Sequence, residues 1–167
     1  FGASTEPDMD TDVFSYTCLI EEFLQTLKIK KPIMIGHSFG GRLSIIYASR
    51  NETEKVILFG SPCIREYKPT FKEKVLKGLK KIPFTKDLVE LAKQYIGSTD
   101  YKNASPVMRT VLVNTINQDL SECAKKIIAP TLLIWGTLDT AAPIEQARKL
   151  EKLLKDGALI EIPGATH

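Results

Sequence analysis

The sequence has few of the residues from which disulfide frameworks and metal sites are built. Its 167 residues include three cysteines, at positions 18, 63 and 123, and two histidines. Three widely spaced cysteines form neither a disulfide framework nor a Cys-x-x-Cys metal clip, and two histidines argue against a structural zinc site. We therefore expect reduced thiols, a cytoplasmic location and no bound metal.

The sequence also lacks long apolar runs and a strong charge of either sign. No apolar run approaches the roughly 20 residues that a membrane-spanning helix needs. The net charge of +3 is too small to indicate nucleic acid as a partner. A composition of 43% hydrophobic and 26% charged residues is that of an ordinary globular protein, which excludes disordered, collagen-like and coiled-coil chains.

Short apolar segments alternate with stretches of helical periodicity. The pattern predicts strands at 33–35, 56–59, 131–135 and 158–162, and helices at 14–28, 40–51 and 143–154. Strands with few polar residues that alternate with helices are typical of a mostly parallel sheet with flanking helices, in which each strand is buried on both faces. The apolar residues predicted to share one face of the first helix are Tyr16, Leu19, Ile20, Phe23, Leu24 and Leu27.

Residues 61–126 do not fit this alternation. They contain helical patterns at 70–81, 86–96 and 106–118, separated by proline and glycine. Most connections between elements are about 4–6 residues long, so this segment is too long for a simple loop. We predict a helical cap inserted into a core formed by residues 1–60 and 127–167.

The predicted cap begins with a basic stretch. Residues 68–86 contain seven lysines and a single acidic residue, Glu73, with apolar residues at helical spacing. One interpretation is an amphipathic lid that contacts anionic lipid or substrate. The more ordinary interpretation is a cap helix with a solvated lysine face, which makes membrane contact the less favoured of the two.

A glycine-flanked serine lies between the first predicted strand and the helix after it. The motif is Gly36-His37-Ser38-Phe39-Gly40. A sharp strand-to-helix turn would hold the Ser38 hydroxyl clear of the backbone, and Gly36 and Gly40 would leave room for it. The helix start places the Phe39 N–H where it can stabilise an oxyanion. This context predicts that Ser38 is a nucleophile; the alternative is a glycine-rich turn that contains a serine by chance.

A serine nucleophile needs a base, and the base needs a carboxylate that orients it. His37 adjoins Ser38, so we expect its side chain to point away from the serine and to pack beside the turn. His167 comes after the last predicted strand, at the carboxyl edge of the sheet. Asp139 comes after the third strand at the same edge, whereas Asp156 is expected in a turn at the opposite edge. The alternatives are a surface histidine and an ordinary loop aspartate.

Three motifs of the chain resemble those of the α/β-hydrolase superfamily, whose order of catalytic residues is Ser, Asp, His. The resemblance implies nucleophile Ser38, acid Asp139 and base His167, with no metal, no organic cofactor and a cap at the insertion. Residues 1–4 also look like the tail of a loop that comes after an earlier strand in that family. The three motifs are Gly36-His37-Ser38-Phe39-Gly40-Gly41, Trp135-Gly136-Thr137-Leu138-Asp139 and Gly164-Ala165-Thr166-His167.

A serine at this position implies acyl transfer to water through an acyl-enzyme, with a small-molecule carboxylic ester or related acyl compound as substrate. Members of the family that act on haloalkanes or epoxides carry an aspartate there, so those activities are disfavoured. A C–C bond hydrolase, a cofactor-free haloperoxidase-like enzyme and a non-catalytic ligand-binding relative stay open as alternatives.

The chain departs from the family pattern before the serine motif. Members of the family have several strands there, and a loop among them supplies a second oxyanion N–H. This sequence has neither, so we expect it to be an excerpt of a larger hydrolase. Without those strands, Ile33 and Ile35 are expected on an exposed edge of the sheet.

Overall fold

The computed structural model describes residues 4–65 and 104–167. The first two predicted cap helices and most of the lysine-rich stretch lie outside the described residues. No helix within the two described ranges is both long and apolar enough to cross a membrane. The elements in chain order are α1 (Val13–Thr26), β1 (Ile33–His37), α2 (Phe39–Arg50), β2 (Lys55–Phe59), α3 (Pro106–Asn117), α4 (Ser121–Lys126), β3 (Thr131–Gly136), α5 (Ile144–Leu153) and β4 (Gly157–Ile162).

The described strands form one parallel sheet in the order β1-β2-β3-β4. The register pairs His37 with Phe59 and Gly136 with Ile162. Since all four strands run the same way, their carboxyl ends meet at one edge of the sheet. The predicted α/β architecture with flanking helices is therefore confirmed. The predicted strands, and the predicted helices among the described residues, lie within two residues of their expected ends, whereas α4 has no counterpart in the prediction.

The main core lies around α2. This helix packs against α1, α4 and the strands β1 and β2, and it buries Ile45 and Ile46 completely. Leu58 and Leu133, from the two central strands, are equally buried in the same cluster. Full burial of such side chains contributes about 1.5–3 kcal/mol each. This core fixes α2, and with it the turn that precedes α2.

The first strand does not have two buried faces. Ile33 and Ile35 are 55% and 65% exposed, because β1 is an edge of the described sheet. The strand's continuous apolar run predicted burial on both sides, and that prediction is wrong. The expectation that both isoleucines lie at an exposed edge of the sheet is confirmed.

The first helix buries only part of the predicted apolar face. Asp12 caps its start, where the carboxylate accepts the Ser15 N–H at 2.8 Å. Its fully buried residues are Val13 and Thr17, and Tyr16 and Ile20 of the predicted face pack against the core beside them. Periodicity shows which residues share a face but not which neighbour covers it. Three residues of the predicted apolar face are therefore found exposed, namely Leu19, Phe23 and Leu27.

The chain divides into two compact units. One consists of residues 10–64 and 118–167 and contains the whole described sheet; the other consists of residues 1–9 and 65–117 and contains α3. Within the second unit the Arg65 guanidinium donates to the Asn117 carbonyl at 3.2 Å, so the two ends of its longer segment meet. The assignment of residues 61–126 to a cap domain stays a prediction.

A cluster of hydrogen bonds joins the point where the chain leaves the first unit to the point where it returns. The buried Arg42 guanidinium of α2 donates through Nη1 to the Pro62 carbonyl at 2.6 Å and through Nη2 to the Gln118 carbonyl. The Leu120 N–H donates to the Cys63 carbonyl at 2.8 Å. A planar guanidinium fork is well suited to bind two acceptors at once. We call these five residues the neck.

Candidate active site

Ser38 occupies a strained turn between β1 and α2. Its backbone angles are φ 49° and ψ −109°, a region that costs a residue other than glycine about 1–3 kcal/mol. The Ser38 N–H donates to the Phe59 carbonyl at 2.9 Å, which holds the turn against β2. Serine at a helix start commonly caps the helix with its hydroxyl, but Ser38 makes no such bond to the described N–H groups of α2. The hydroxyl is thus not committed to capping.

The tight approach of strand and helix requires two glycines of the motif. A Cβ atom on Gly36 would lie 2.5 Å from the Gly41 nitrogen, and one on Gly41 would lie 1.8 Å from the Ser61 Oγ. A Cβ atom on Gly40 would meet no described atom within 4 Å. The expectation that Gly36 and Gly40 together provide the space is corrected: the space is needed at Gly36 and Gly41.

Asp139 is held rigidly in the loop after β3. Its side chain is 1% exposed, and Oδ1 accepts the N–H groups of Ala141 at 2.9 Å and Ala142 at 2.7 Å. The Trp135 indole N–H donates to the Ala142 carbonyl at 2.6 Å and so fastens the far side of the same loop. With Oδ1 fixed in this way, Oδ2 of Asp139 is oriented towards His167.

His167 lies against that second oxygen. Its Nδ1 donates to Asp139 Oδ2 at 2.7 Å. Because a carboxylate only accepts, the proton belongs on Nδ1, and Nε2 then carries a lone pair that can accept a proton. The segment that brings His167 back from β4 is tied to the loop after β3: the Gly164 N–H donates to Thr137 Oγ1 at 3.0 Å.

The backbone of Gly60, directly after β2, forms the floor under this pair. A Cβ atom on Gly60 would lie 3.0 Å from Asp139 Oδ2 and 3.1 Å from His167 Nδ1. Gly60 also has φ +45°, a conformation that favours glycine. The sequence does not reveal this role, since Gly60-Ser61-Pro62 indicates only the end of a strand.

His37 contacts His167 from the other side. The two imidazole rings lie 4.6 Å apart between centroids, at 49° to each other, and His37 Nε2 lies 2.9 Å from the His167 backbone oxygen. The sequence predicted only that His37 packs beside the turn, and this contact was missed. No local signal could have revealed it, because the two residues are separated by 130 positions.

His37, Gly60, Asp139 and His167, but not Ser38, line a pocket at the carboxyl edge of the sheet. The structure brings Asp139 and His167 into direct contact, and it places Ser38 next along the chain from His37, which also touches His167. Residues from the ends of all four strands contribute to the wall of the pocket. Its lining consists of His37, Phe59, Gly60, Ile134, Trp135, Gly136, Asp139, Ile162, Ala165, Thr166 and His167.

Two other reactive side chains do not compete for the same role. Burial raises the pKa of the Cys63 thiol to about 12, so the thiol stays protonated and is a poor nucleophile. The Asp156 carbonyl accepts the N–H of Thr131, the first residue of β3. Asp156 therefore lies at the opposite edge of the sheet, as predicted.

The chain is similar to several known proteins. The chain is 25% identical to YisY of Bacillus subtilis, described as an AB hydrolase superfamily protein, over the whole of this chain and 71% of YisY. It is 26% identical to a proline iminopeptidase of Heyndrickxia coagulans, over 85% of this chain and 63% of that protein. A solved bromoperoxidase of Bacillus anthracis superimposes with a TM-score of 0.73 at 20% identity, over 100% of this chain and 71% of that one.

The chain thus spans about two thirds of the length of these proteins. The sequence pattern of the alpha/beta hydrolase fold matches residues 2–89, which is more than half of the chain. A solved alpha/beta hydrolase enzyme from a lagoon-sediment metagenome also superimposes on the chain with a TM-score of 0.66 at 18% identity, over 99% of this chain and 64% of that one. The chain therefore belongs to the alpha/beta hydrolase fold family.

Proposed function

We propose that the protein is a serine hydrolase that cleaves a carboxylic ester or a related acyl compound through an acyl-enzyme. Ser38 is the nucleophile, His167 the general base and Asp139 the residue that orients the base. The observation that carries this proposal is the 2.7 Å hydrogen bond from His167 to a buried, doubly held Asp139, at the same sheet edge as the strained Ser38 turn.

In the first half of the reaction, Ser38 Oγ attacks the carbonyl carbon of the substrate and its proton passes to His167 Nε2. The Asp139 carboxylate stabilises the imidazolium that results. The negative charge develops on the former carbonyl oxygen, where the Phe39 N–H, at the positive end of the α2 dipole, can donate to it. The intermediate then expels the alcohol, which takes the proton from His167, and an acyl-Ser38 ester is left.

In the second half, water replaces the alcohol. His167 Nε2 accepts a proton from the water while its oxygen attacks the acyl carbon. Collapse of the second intermediate releases the carboxylic acid, and Ser38 Oγ regains the proton from His167. The reaction consumes one water and needs no redox partner, so the groups at this edge of the sheet are sufficient for every proton transfer in it.

A fluorophosphonate probe tests the nucleophile directly. We expect one covalent adduct per chain, located by mass spectrometry on the peptide that contains Ser38, and none on heat-denatured protein. An adduct on a different serine would contradict the assignment of Ser38. Absence of any adduct on the folded protein would instead favour a non-catalytic, ligand-binding relative.

A panel of p-nitrophenyl esters of increasing acyl length tests the substrate class. The expected result is hydrolysis of at least one ester, and loss of that turnover once the fluorophosphonate has reacted. Labelling at Ser38 together with turnover of a β-diketone but of no ester would favour the C–C bond hydrolase. Halogenation of a phenol in the presence of peroxide and bromide, without ester turnover, would favour the haloperoxidase-like alternative.

Substitution of Gly60 by alanine should disturb the Asp139–His167 pair. The new methyl group would lie 3.0–3.1 Å from the two hydrogen-bonded atoms, so that one or both must shift by a few tenths of an ångström. A displacement of about 1 Å at a reacting group can reduce the rate about 100-fold. For this smaller shift we expect kcat for the preferred p-nitrophenyl ester to fall by roughly 3- to 10-fold.

Gly164→Ala is the matched control for this substitution. Gly164 also has a positive φ, +73°, but a Cβ atom there would meet no described atom within 4 Å. Both variants carry the strain of a left-handed alanine, about 1–2 kcal/mol, and should lower the melting temperature to a similar extent. Equal loss of kcat in the two variants would show that strain, and not the contact with the catalytic pair, is responsible.

A further inference from the structure

His37 links the proposed nucleophile to the proposed base. It is covalently adjacent to Ser38, and its imidazole contacts the base, with Nε2 2.9 Å from the His167 backbone oxygen. A backbone oxygen, whether of a peptide carbonyl or of a carboxylate, accepts this bond, so His37 Nε2 carries the hydrogen and donates it. The side chain of the residue before the nucleophile therefore holds the main chain of the base.

This contact complements the one made by Asp139. The carboxylate of Asp139 holds the imidazole of His167 at Nδ1 and so sets the tilt of the ring. It does not set the distance from the ring to the serine, because Asp139 belongs to the loop after β3, whereas Ser38 comes directly after β1. Between these strands lies β2. The hydrogen bond from His37 spans the distance between these strands. It therefore fixes the position of His167 relative to β1, the strand that leads into Ser38.

The stacking of the two rings supports the same role. With centroids 4.6 Å apart and planes at 49°, the ring of His37 limits how far the ring of His167 can swing. His37 itself is at the last position of β1, paired in register with Phe59, so its backbone is fixed by the sheet. A rigid donor on a sheet strand is a more precise support than a loop residue.

We propose that His37 is a positioning residue that sets the approach of His167 to Ser38. This inference rests on the proposed function of Ser38 and His167. It assigns His37 no contact with substrate and no proton transfer: its N–H donation and its ring keep the base within reach of the serine hydroxyl. Loss of the donor should lower the rate of the chemical step and leave substrate binding largely unchanged.

Three substitutions of His37 separate the effect of its N–H donor from the effect of its ring shape. His37→Phe keeps a flat ring but has no N–H, His37→Gln restores a donor near the position of Nε2, and His37→Asn places its donor nearer to Nδ1. For the preferred p-nitrophenyl ester we expect kcat of the phenylalanine variant to fall roughly 10- to 100-fold, with KM and melting temperature nearly unchanged. The glutamine variant should recover most of that loss and the asparagine variant little of it.

A spectroscopic measurement gives a readout that does not depend on turnover. The proton on His167 Nδ1, bonded to Asp139 Oδ2, should give a low-field resonance in the proton NMR spectrum. We expect it to be sharp in the parent chain and in His37→Gln, and broadened in His37→Phe. An unchanged resonance together with unchanged kcat in the phenylalanine variant would overturn the positioning role.

The outcomes for the two proposals are distinct. If Ser38→Ala is inactive while all three His37 variants match the parent, the positioning role fails and the proposed function stands. If Ser38→Ala keeps full activity, the proposed function fails, and the inference about His37 fails with it. If the asparagine variant regains kcat as fully as the glutamine variant, the place of the donor at Nε2 does not matter and the proposal is again overturned.

Discussion

Replacement of Ser38 by alanine should lower kcat by at least about four orders of magnitude and leave the chain folded. A residual rate is expected, because removal of a member of a catalytic triad leaves the stabilisation supplied by the oxyanion donors and by substrate binding. The fold should tolerate the change, since the Ser38 side chain does not cap the described start of α2 and alanine carries the same strain at φ 49° as serine does. Ester turnover and far-ultraviolet circular dichroism measure the two effects.

Ser49→Ala is the matched control. Ser49 lies near the other end of α2, where its hydroxyl donates to the Ile46 carbonyl at 2.7 Å, far along the helix from the sheet edge that holds the pocket. Loss of this hydroxyl should leave kcat and fluorophosphonate labelling unaffected. Comparable turnover by the Ser38 and Ser49 variants would rule out the acyl-enzyme mechanism at this site.

Asp139→Asn should lower kcat about 10⁴-fold by changing the tautomer of the base. The amide oxygen of asparagine can still accept the N–H groups of Ala141 and Ala142, so the loop keeps its hydrogen bonds. The amide nitrogen, however, would replace Oδ2 and point a donor at His167 Nδ1. The imidazole must then present its lone pair at Nδ1 and its proton at Nε2, where it can no longer accept the proton of Ser38.

The matching control is Asp156→Asn, directly before β4 on the opposite edge of the sheet. It makes the same change of charge without touching the base, so kcat should stay at the parent value. Stopped-flow measurement of acyl-enzyme formation would place the loss for Asp139→Asn in the chemical step, with KM little changed. A loss of less than tenfold would show that Asp139 does not determine the tautomer of His167.

Much of this site could be predicted because parallel strands all end at one edge. The apolar runs at 56–59 and 131–135 are unambiguous strands, and a parallel sheet brings the residues after its strands to the same edge. Asp139 and His167 were therefore predicted together from separate parts of the sequence, and the structure brings them within hydrogen-bond distance. The glycine and serine pattern similarly predicted the strained turn at Ser38.

Contacts between residues that are far apart in the sequence could not be predicted. Gly60 has the sequence context of an ordinary turn, and only the position of Asp139 and His167 above it shows why a side chain is excluded. The contact between His37 and His167 joins residues far apart in sequence. Ile33 and Ile35 have the composition of a buried strand, but their exposure depends on which strands lie beside β1, and the pattern within β1 does not contain that information.

The neck has a consequence for how the segment between its two sides can vary in length during evolution. Because Arg42 binds the carbonyls of Pro62 and Gln118, and Leu120 donates to Cys63, the segment from 65 to 117 starts and finishes at neighbouring points of the sheet-containing unit. Doubling the length of a flexible closed loop costs only about 0.6 kcal/mol. Natural exchange of this segment for one of different length could thus leave the contacts of the sheet-containing unit in place.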